Sequence, residues 1–243
     1  MDAKVWDDYW SDQQDRTWEV NQPQATILQR IGIDRRRILE VGVGSGTTSS
    51  YLAENGASVT GIDISLPALR NAQRRGATFA IVGGDCCALP FADSSFDVVL
   101  HQGVLEHFRD PLPILREQRR VLKDGGSLLV DVPQRYQLYT LMKRRRIRDG
   151  TWPFGWETEY SYLELKRLLK DMGFQIRGYY GNGYYPEWFR LLRVAHTVGK
   201  SRFGRPIMPR TIGERYDRLW RRLELSLPAC FLLVSIGIWG EKR

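Results

Sequence analysis

Cysteine and histidine are scarce, three of each in 243 residues. The cysteines are Cys86, Cys87 and Cys230, an odd number in which two are adjacent, and chain neighbours rarely bridge each other. A disulfide framework and a thiolate metal centre are therefore not expected; free thiols in a reducing cytoplasm are. Long apolar runs are missing too. The longest, Ala229 to Trp239, falls well short of the roughly 20 residues that span a bilayer. The first ten residues have neither a basic lead nor an apolar core, so no signal peptide is expected there. No internal repeat or low-complexity tract interrupts the chain. Acids are outnumbered, 28 against 36 lysines and arginines, which gives a net charge of +8 and makes an anionic partner worth considering.

What is present has a definite rhythm. Arg37 to Val43 reads as a buried strand, Thr47 to Asn55 as a helix that stops at Gly56, and Ser58 to Ile64 as a second strand. Pro67 to Arg75 reads as a helix with proline in its first turn and Gly76 past its end. Ala77 to Val82 and Phe96 to His101 are further strands, Pro113 to Leu122 a helix, and Ser127 to Val132 a fifth strand. Strands separated by helix-length segments predict βαβ units and a mainly parallel sheet buried on both faces, an α/β fold. Beyond it, Tyr162 to Met172 has helical spacing, and Gln175 to Tyr180 and Cys230 to Trp239 read as two last strands.

The chemistry concentrates where the first strand meets a glycine cluster, Gly42-Val43-Gly44-Ser45-Gly46. Glycines there let the backbone turn and approach a ligand closely, and the helix start that follows favours a carboxylate or phosphate. Asp63, ending the second strand, is placed to accept hydrogen bonds from a ribose. A dinucleotide fingerprint, G-x-G-x-x-G, needs a small third residue where Thr47 stands. Glu40, two residues before the first glycine, would repel a pyrophosphate and suits a cofactor with a positive ammonium. A nicotinamide oxidoreductase is thus the weaker of the cofactor-binding readings.

Four segments in register resemble the class I S-adenosylmethionine-dependent methyltransferases, and within them the ubiquinone and menaquinone biosynthesis branch (methyltransferase type 11). They are "LEVGVGSGTTSSYLA", "VTGIDIS", "GGDCCALPFADSSFDVVLHQGVLEHFRDP" and "LREQRRVLKDGGSLLVDVP", and the resemblance runs from about Ile38 to Pro133. It implies a Rossmann-like, seven-stranded, mainly parallel sheet with helices on both faces and an antiparallel last strand preceded by a helical insertion. It implies one methyltransferase domain over residues 1–243: N-terminal helices over 1–33, a cofactor-binding core over 34–133, and substrate-side insertions over 134–161 and 184–229. S-adenosylmethionine would be the cofactor and S-adenosylhomocysteine its product. Glu40 would hold the amino group, while backbone at Gly42, Gly44 and Gly46 wraps the methionine part. Asp63 would take the ribose hydroxyls with Ile64 beside the adenine. Asp85 would accept from the adenine amine, the Cys86 backbone N–H would face the ring, and Gln102 would offer its carbonyl to the ammonium.

Methyl transfer from a sulfonium is an in-line displacement that depends largely on orientation and exclusion of water. A base is needed only where the acceptor must lose a proton; the candidate is His107 in "GVLEHF", against the plainer reading of a histidine that shapes the pocket wall. His101 and His196 read as structural. Tyr9, Trp10 and Trp18 read first as helix packing in the N-terminal segment, with closure of the site as the sharper reading.

The aromatic stretch Trp152 to Tyr162 offers a wall for an apolar or ring-containing acceptor, small-molecule or lipid-like. The resembling family often carries a histidine in that stretch, where this chain has Glu157 and Glu159. Between Pro186 and Pro228 lie ten lysines and arginines against four acids. Solvated helix faces are the plain reading of that excess; a surface for an anionic membrane or a phosphorylated acceptor is the sharper one, and nucleic acid is not expected. A cofactor-binding protein without catalysis would keep every binding residue, so only turnover separates it from an enzyme.

Overall fold

A computed structural model describes residues 3–13, 19–183 and 218–243. Trp18, His196 and most of the basic stretch before Pro228 lie outside them.

Two helices come first, α1 (Ala3–Ser11) and α2 (Gln22–Ile31). Asn21 caps α2 by accepting the Gln24 N–H, and its own side-chain N–H donates to the buried Asp131 carboxylate at 3.0 Å. One side chain thus starts the helix and pins it to the sheet. Then follow β1 (Arg37–Val41), α3 (Thr47–Glu54), β2 (Ser58–Asp63), α4 (Leu66–Arg74), β3 (Ala80–Gly83) and β4 (Phe96–Gln102). The second half holds α5 (Leu112–Val121), β5 (Leu122–Pro133), α6 (Leu138–Arg148), α7 (Tyr162–Asp171), β6 (Phe174–Asn182) and β7 (Ser235–Lys242). Local signals fix several starts. Ser65 caps α4 ahead of Pro67, and Ser161 with Glu164 forms a full capping box on α7.

The strands make one seven-stranded sheet in the order β3-β2-β1-β4-β5-β7-β6. β7 runs antiparallel to β5 and β6; the other pairings are parallel. The core divides across the sheet. Leu39, Val41, Val99 and Val130 pack towards α5 and α7, while Ile38, Val98, Leu100 and Leu129 pack towards α2 and α3. Strands buried on both faces need the near-continuous apolar runs that the sequence carries.

β3 starts at Ala80, not Ala77, and β5 at Leu122, not Ser127, and two further stretches differ from the sequence expectation. The last strand starts at Ser235, not Cys230, because Ala229–Leu232 forms a helical turn led in by Pro228. A short apolar run carries no period that separates strand from helix, and a proline at the helix start tips it. The segment after Pro133, read only as basic and aromatic, contains the helix α6. No helix of the described residues is long and apolar enough to cross a membrane.

The antiparallel edge is packed by aromatic rings laid across glycines. Tyr180, fully buried, sits opposite Gly237, and Trp239 opposite Gly178. A methyl group on Gly237 would overlap the Tyr180 ring. The ring has no room to retreat, so Gly237→Ala is expected to cost about 1–3 kcal/mol of stability, read as a lower urea midpoint at unchanged m-value.

Candidate active site

Chain order along the sheet reverses between β1 and β4. From β1 the chain winds outward through β2 to β3, then returns to β4 on the other side of β1. Loops leaving the carboxyl ends of these two strands diverge, and the crevice between them is where open α/β sheets bind ligands. Two adjoining cavities of about 100 Å³ and 350 Å³ lie there, both lined by Trp6, Trp10, Gly42, Gln102, Gly103 and His107.

The inner wall is the glycine loop. Gly42 and Val43 both donate N–H bonds to the Ile62 carbonyl, at 2.8 and 3.1 Å, which turns the loop back onto β2. The Gly44 N–H donates to Asp63 Oδ2 at 2.9 Å, and the Ser65 N–H donates to Asp63 Oδ1 at 2.9 Å. Gly44 has φ +51°, and a Cβ on it would meet the Trp10 ring at 2.5 Å. Only glycine therefore allows both the turn and the seat of Trp10. Helix α3 begins directly after Gly46 with no side-chain cap, which leaves its first N–H groups to the cavity side.

Two carboxylates stand in this wall, both buried. Burial raises Asp63 above the usual carboxylate range, against hydrogen bonds from the backbone at Ser65 and Gly44. Glu40 accepts from the Ser49 hydroxyl, and burial pushes it up to about 7. Taking a charge out of water costs most where no opposite charge answers it, so Glu40 is a group waiting for a cation.

The outer wall is aromatic. Trp6 of α1 stacks on Phe154 with centroids 5.4 Å apart and meets the His107 ring edge-on at 4.7 Å. Tyr9 packs on Phe154 at 4.8 Å, and Trp152 does so at 5.6 Å. α1 itself is held by Asn71 of α4, whose amide donates to the Trp10 carbonyl at 2.8 Å. Behind the wall, Glu157 accepts from Trp152 Nε1 at 2.7 Å and from Lys143 Nζ at 2.8 Å. Lys143 has no exposed side-chain surface and also lies 3.7 Å from Glu159, which pairs with Arg144 as well.

Comparison with known proteins gives this crevice a family. Residues 39–130 match the family described as "Methyltransferase domain". Demethylmenaquinone methyltransferase of Renibacterium salmoninarum is 36% identical over 127 residues, covering 52% of each chain. The enzyme of the same name from Tropheryma whipplei is 35% identical over 160 residues, covering 57% of this chain and 66% of its own. Malonyl-[acyl-carrier protein] O-methyltransferase of Pseudescherichia vulneris is 36% identical over 104 residues, covering 42% of this chain and 41% of its own. A SAM-dependent methyltransferase structure from Thermotoga maritima superposes with a TM-score of 0.64 over 92% of this chain and 88% of its own, at 21% identity, a likeness of fold. Residues 39–130 are a methyltransferase domain. Overall the chain spans about half the length of the curated relatives it matches. S-adenosylmethionine is the cofactor that this family implies.

Within the methyltransferase domain, most residues singled out in the sequence converge. Asp63, Ile64 and Cys86 line the smaller cavity, Glu40 and Gly44 the larger, and Gly42, Gln102 and His107 both. Gly46 and Asp85 line neither. A Cβ on Gly46 would press on Phe79 and Ala72, and Asp85 is exposed with its carboxylate accepting the Cys87 N–H at 2.9 Å. His101 is fully buried in β4, where burial lowers it to about 3. Trp6, Glu106 and Lys143 were missed. Trp6 shares α1 with Tyr9 and Trp10 at helical spacing, and Glu106 directly precedes His107, so both had a signal. Lys143 sits in the run Lys143-Arg144-Arg145-Arg146, which reads as a solvated face.

Lys143 is the buried cation for two nearly buried carboxylates. Lys143→Met should destabilise the methyltransferase domain by about 3–5 kcal/mol in urea denaturation, because Glu157 and Glu159 would lose the charge that offsets their desolvation. Adding Glu157→Gln to that variant should recover part of the loss.

Proposed function

We propose that the chain transfers a methyl group from S-adenosylmethionine to a small-molecule or lipid-like acceptor held in the larger cavity. The observation that carries this reading is the pair of buried carboxylates, Glu40 and Asp63, set on either side of a glycine loop with no space for side chains. That pairing fits a ligand with an ammonium at one end and a ribose at the other. It does not fit a pyrophosphate, which Glu40 would repel.

On this reading Glu40 and the Gln102 carbonyl hold the cofactor's ammonium, and the uncapped start of α3 receives its carboxylate. Asp63 accepts from the ribose hydroxyls, with Ile64 and Cys86 beside the adenine. Asp85, next in the chain to Cys86, would accept from the adenine amine through its second oxygen. The bound cofactor supplies an electrophilic methyl group on a sulfonium. The chain's own contribution is orientation and a dry chamber closed by Trp6, Trp10 and Phe154.

We assign His107 to the chamber wall, not to proton removal. Burial lowers its imidazole to about 4, so it is neutral at physiological pH and a weak base. Its contacts are the Trp6 and Phe154 rings, and its Nε2 lies 4.0 Å from Glu106 Oε1.

Thermal unfolding with S-adenosylhomocysteine and with NAD in parallel tests the cofactor. At about a hundredfold the dissociation constant, a ligand stabilises by roughly 2.7 kcal/mol. S-adenosylhomocysteine should raise the melting temperature, the rise should vanish in Asp63→Ala, and a shift with NAD alone would overturn the reading.

The Glu40 assignment adds a pH signature. Its carboxyl is protonated below about pH 7 in the free chain and must ionise to pair with an ammonium. Affinity for S-adenosylhomocysteine should therefore fall as pH drops from 8 to 6, by up to about tenfold for each unit below 7. In Glu40→Gln the affinity should be lower at pH 8 and flat across this range. A slope that survives the substitution would assign the ammonium to another group.

A further inference from the structure

The larger cavity joins two features that the cofactor does not account for: an aromatic wall and an unused buried acid. Glu106 is 3% exposed, lines the cavity, and its Oε2 has no hydrogen-bond partner. The same cavity is lined by the rings of Trp6, Tyr9, Trp152 and Phe154, each in contact with at least one other. Among the described lining residues there are four glutamates, Glu19, Glu40, Glu106 and Glu157, and no lysine or arginine. The nearby Lys143 is taken up by Glu157 and Glu159.

We infer that the acceptor is an amine, seated with its nitrogen in the larger cavity against its aromatic wall and the carboxyl of Glu106. This rests on the methyltransferase reading and narrows it. A cation is attracted to ring faces, and the attraction grows when water is excluded. A phenolate, enolate or carboxylate acceptor would instead bring negative charge beside several glutamates with no described lysine or arginine to answer it. Nor can His107 answer it, since burial keeps it neutral. Glu106 is itself held well above the usual carboxylate range by burial. Burial disfavours its ionised form, and an incoming ammonium would favour it, as the cofactor's would at Glu40 on the proposed reading. For a primary amine the balance closes. The bound ammonium first gives one proton to Glu106 or to water, the freed lone pair forms the N–C bond, the C–S pair leaves with sulfur, and the product is the methylated ammonium.

Binding tests this without turnover. The full chain, saturated with S-adenosylhomocysteine, is titrated calorimetrically with two matched pairs: choline against 3,3-dimethylbutan-1-ol, and 2-phenylethylamine against 2-phenylethanol. In at least one pair the cation should bind roughly tenfold tighter than its neutral counterpart, the size expected of a desolvated cation–π contact. That preference should shrink towards unity in Glu106→Gln, with S-adenosylhomocysteine affinity unchanged, and in part in Phe154→Leu. Neutral members binding as well as the cations would overturn the inference. So would no binding in either pair, or a preference that survives both substitutions. Failure of S-adenosylhomocysteine itself to bind would sink the methyltransferase reading, and the amine with it.

Discussion

The Asp63 carboxylate is the tie on which the crevice depends. One of its oxygens receives the Gly44 N–H and the other the Ser65 N–H, so it joins the glycine loop after β1 to the start of α4 after β2. Together with the Gly42 and Val43 N–H bonds to the Ile62 carbonyl, this tie keeps the loops that leave those neighbouring strands from splaying. Buried charge is costly, and this one is offset by backbone donors that cannot move without undoing the sheet ends. The tie fixes Gly44, Gly44 sets the seat of Trp10, and Trp10 holds α1 across the mouth. The aromatic chamber is thus built outward from one carboxylate.

Charge is distributed against the chain's average. The sequence carries +8 overall, yet the described residues around the larger cavity bring in glutamates and no lysine or arginine. The one buried lysine nearby serves to neutralise Glu157 and Glu159, so it supports the wall and does not face a ligand. A basic exterior around an acidic, ring-lined interior separates two tasks. The exterior governs encounter and solubility, while the interior selects what is held.

Sequence reading reached the parallel core with strand edges mostly within a residue or two, because buried strands and capped helices announce themselves through apolar runs, prolines and glycines. It was less secure where one signal fits two structures. Ala229 to Leu232 is apolar enough for a strand but folds as a helical turn, and Lys143 sits in a basic run that looks solvated but is buried. Nothing local to residue 143 foretells the two glutamates that come to meet it from a loop more than a dozen residues away.

By itself the sequence determined the α/β class, the glycine loop with its flanking acids, and the methyltransferase resemblance, because each is written in short-range spacing that the backbone must follow. Tertiary structure decided what stands beside what. It brought α1 over the glycine loop, set Phe154 against Trp6, and buried Glu106 and His107 together under that lid. On the reading proposed above, His107 takes the wall role, one of the two that the sequence leaves open. The physical reason is desolvation: how far a carboxyl or imidazole is taken from water depends on every element packed around it, and no stretch of sequence contains that sum.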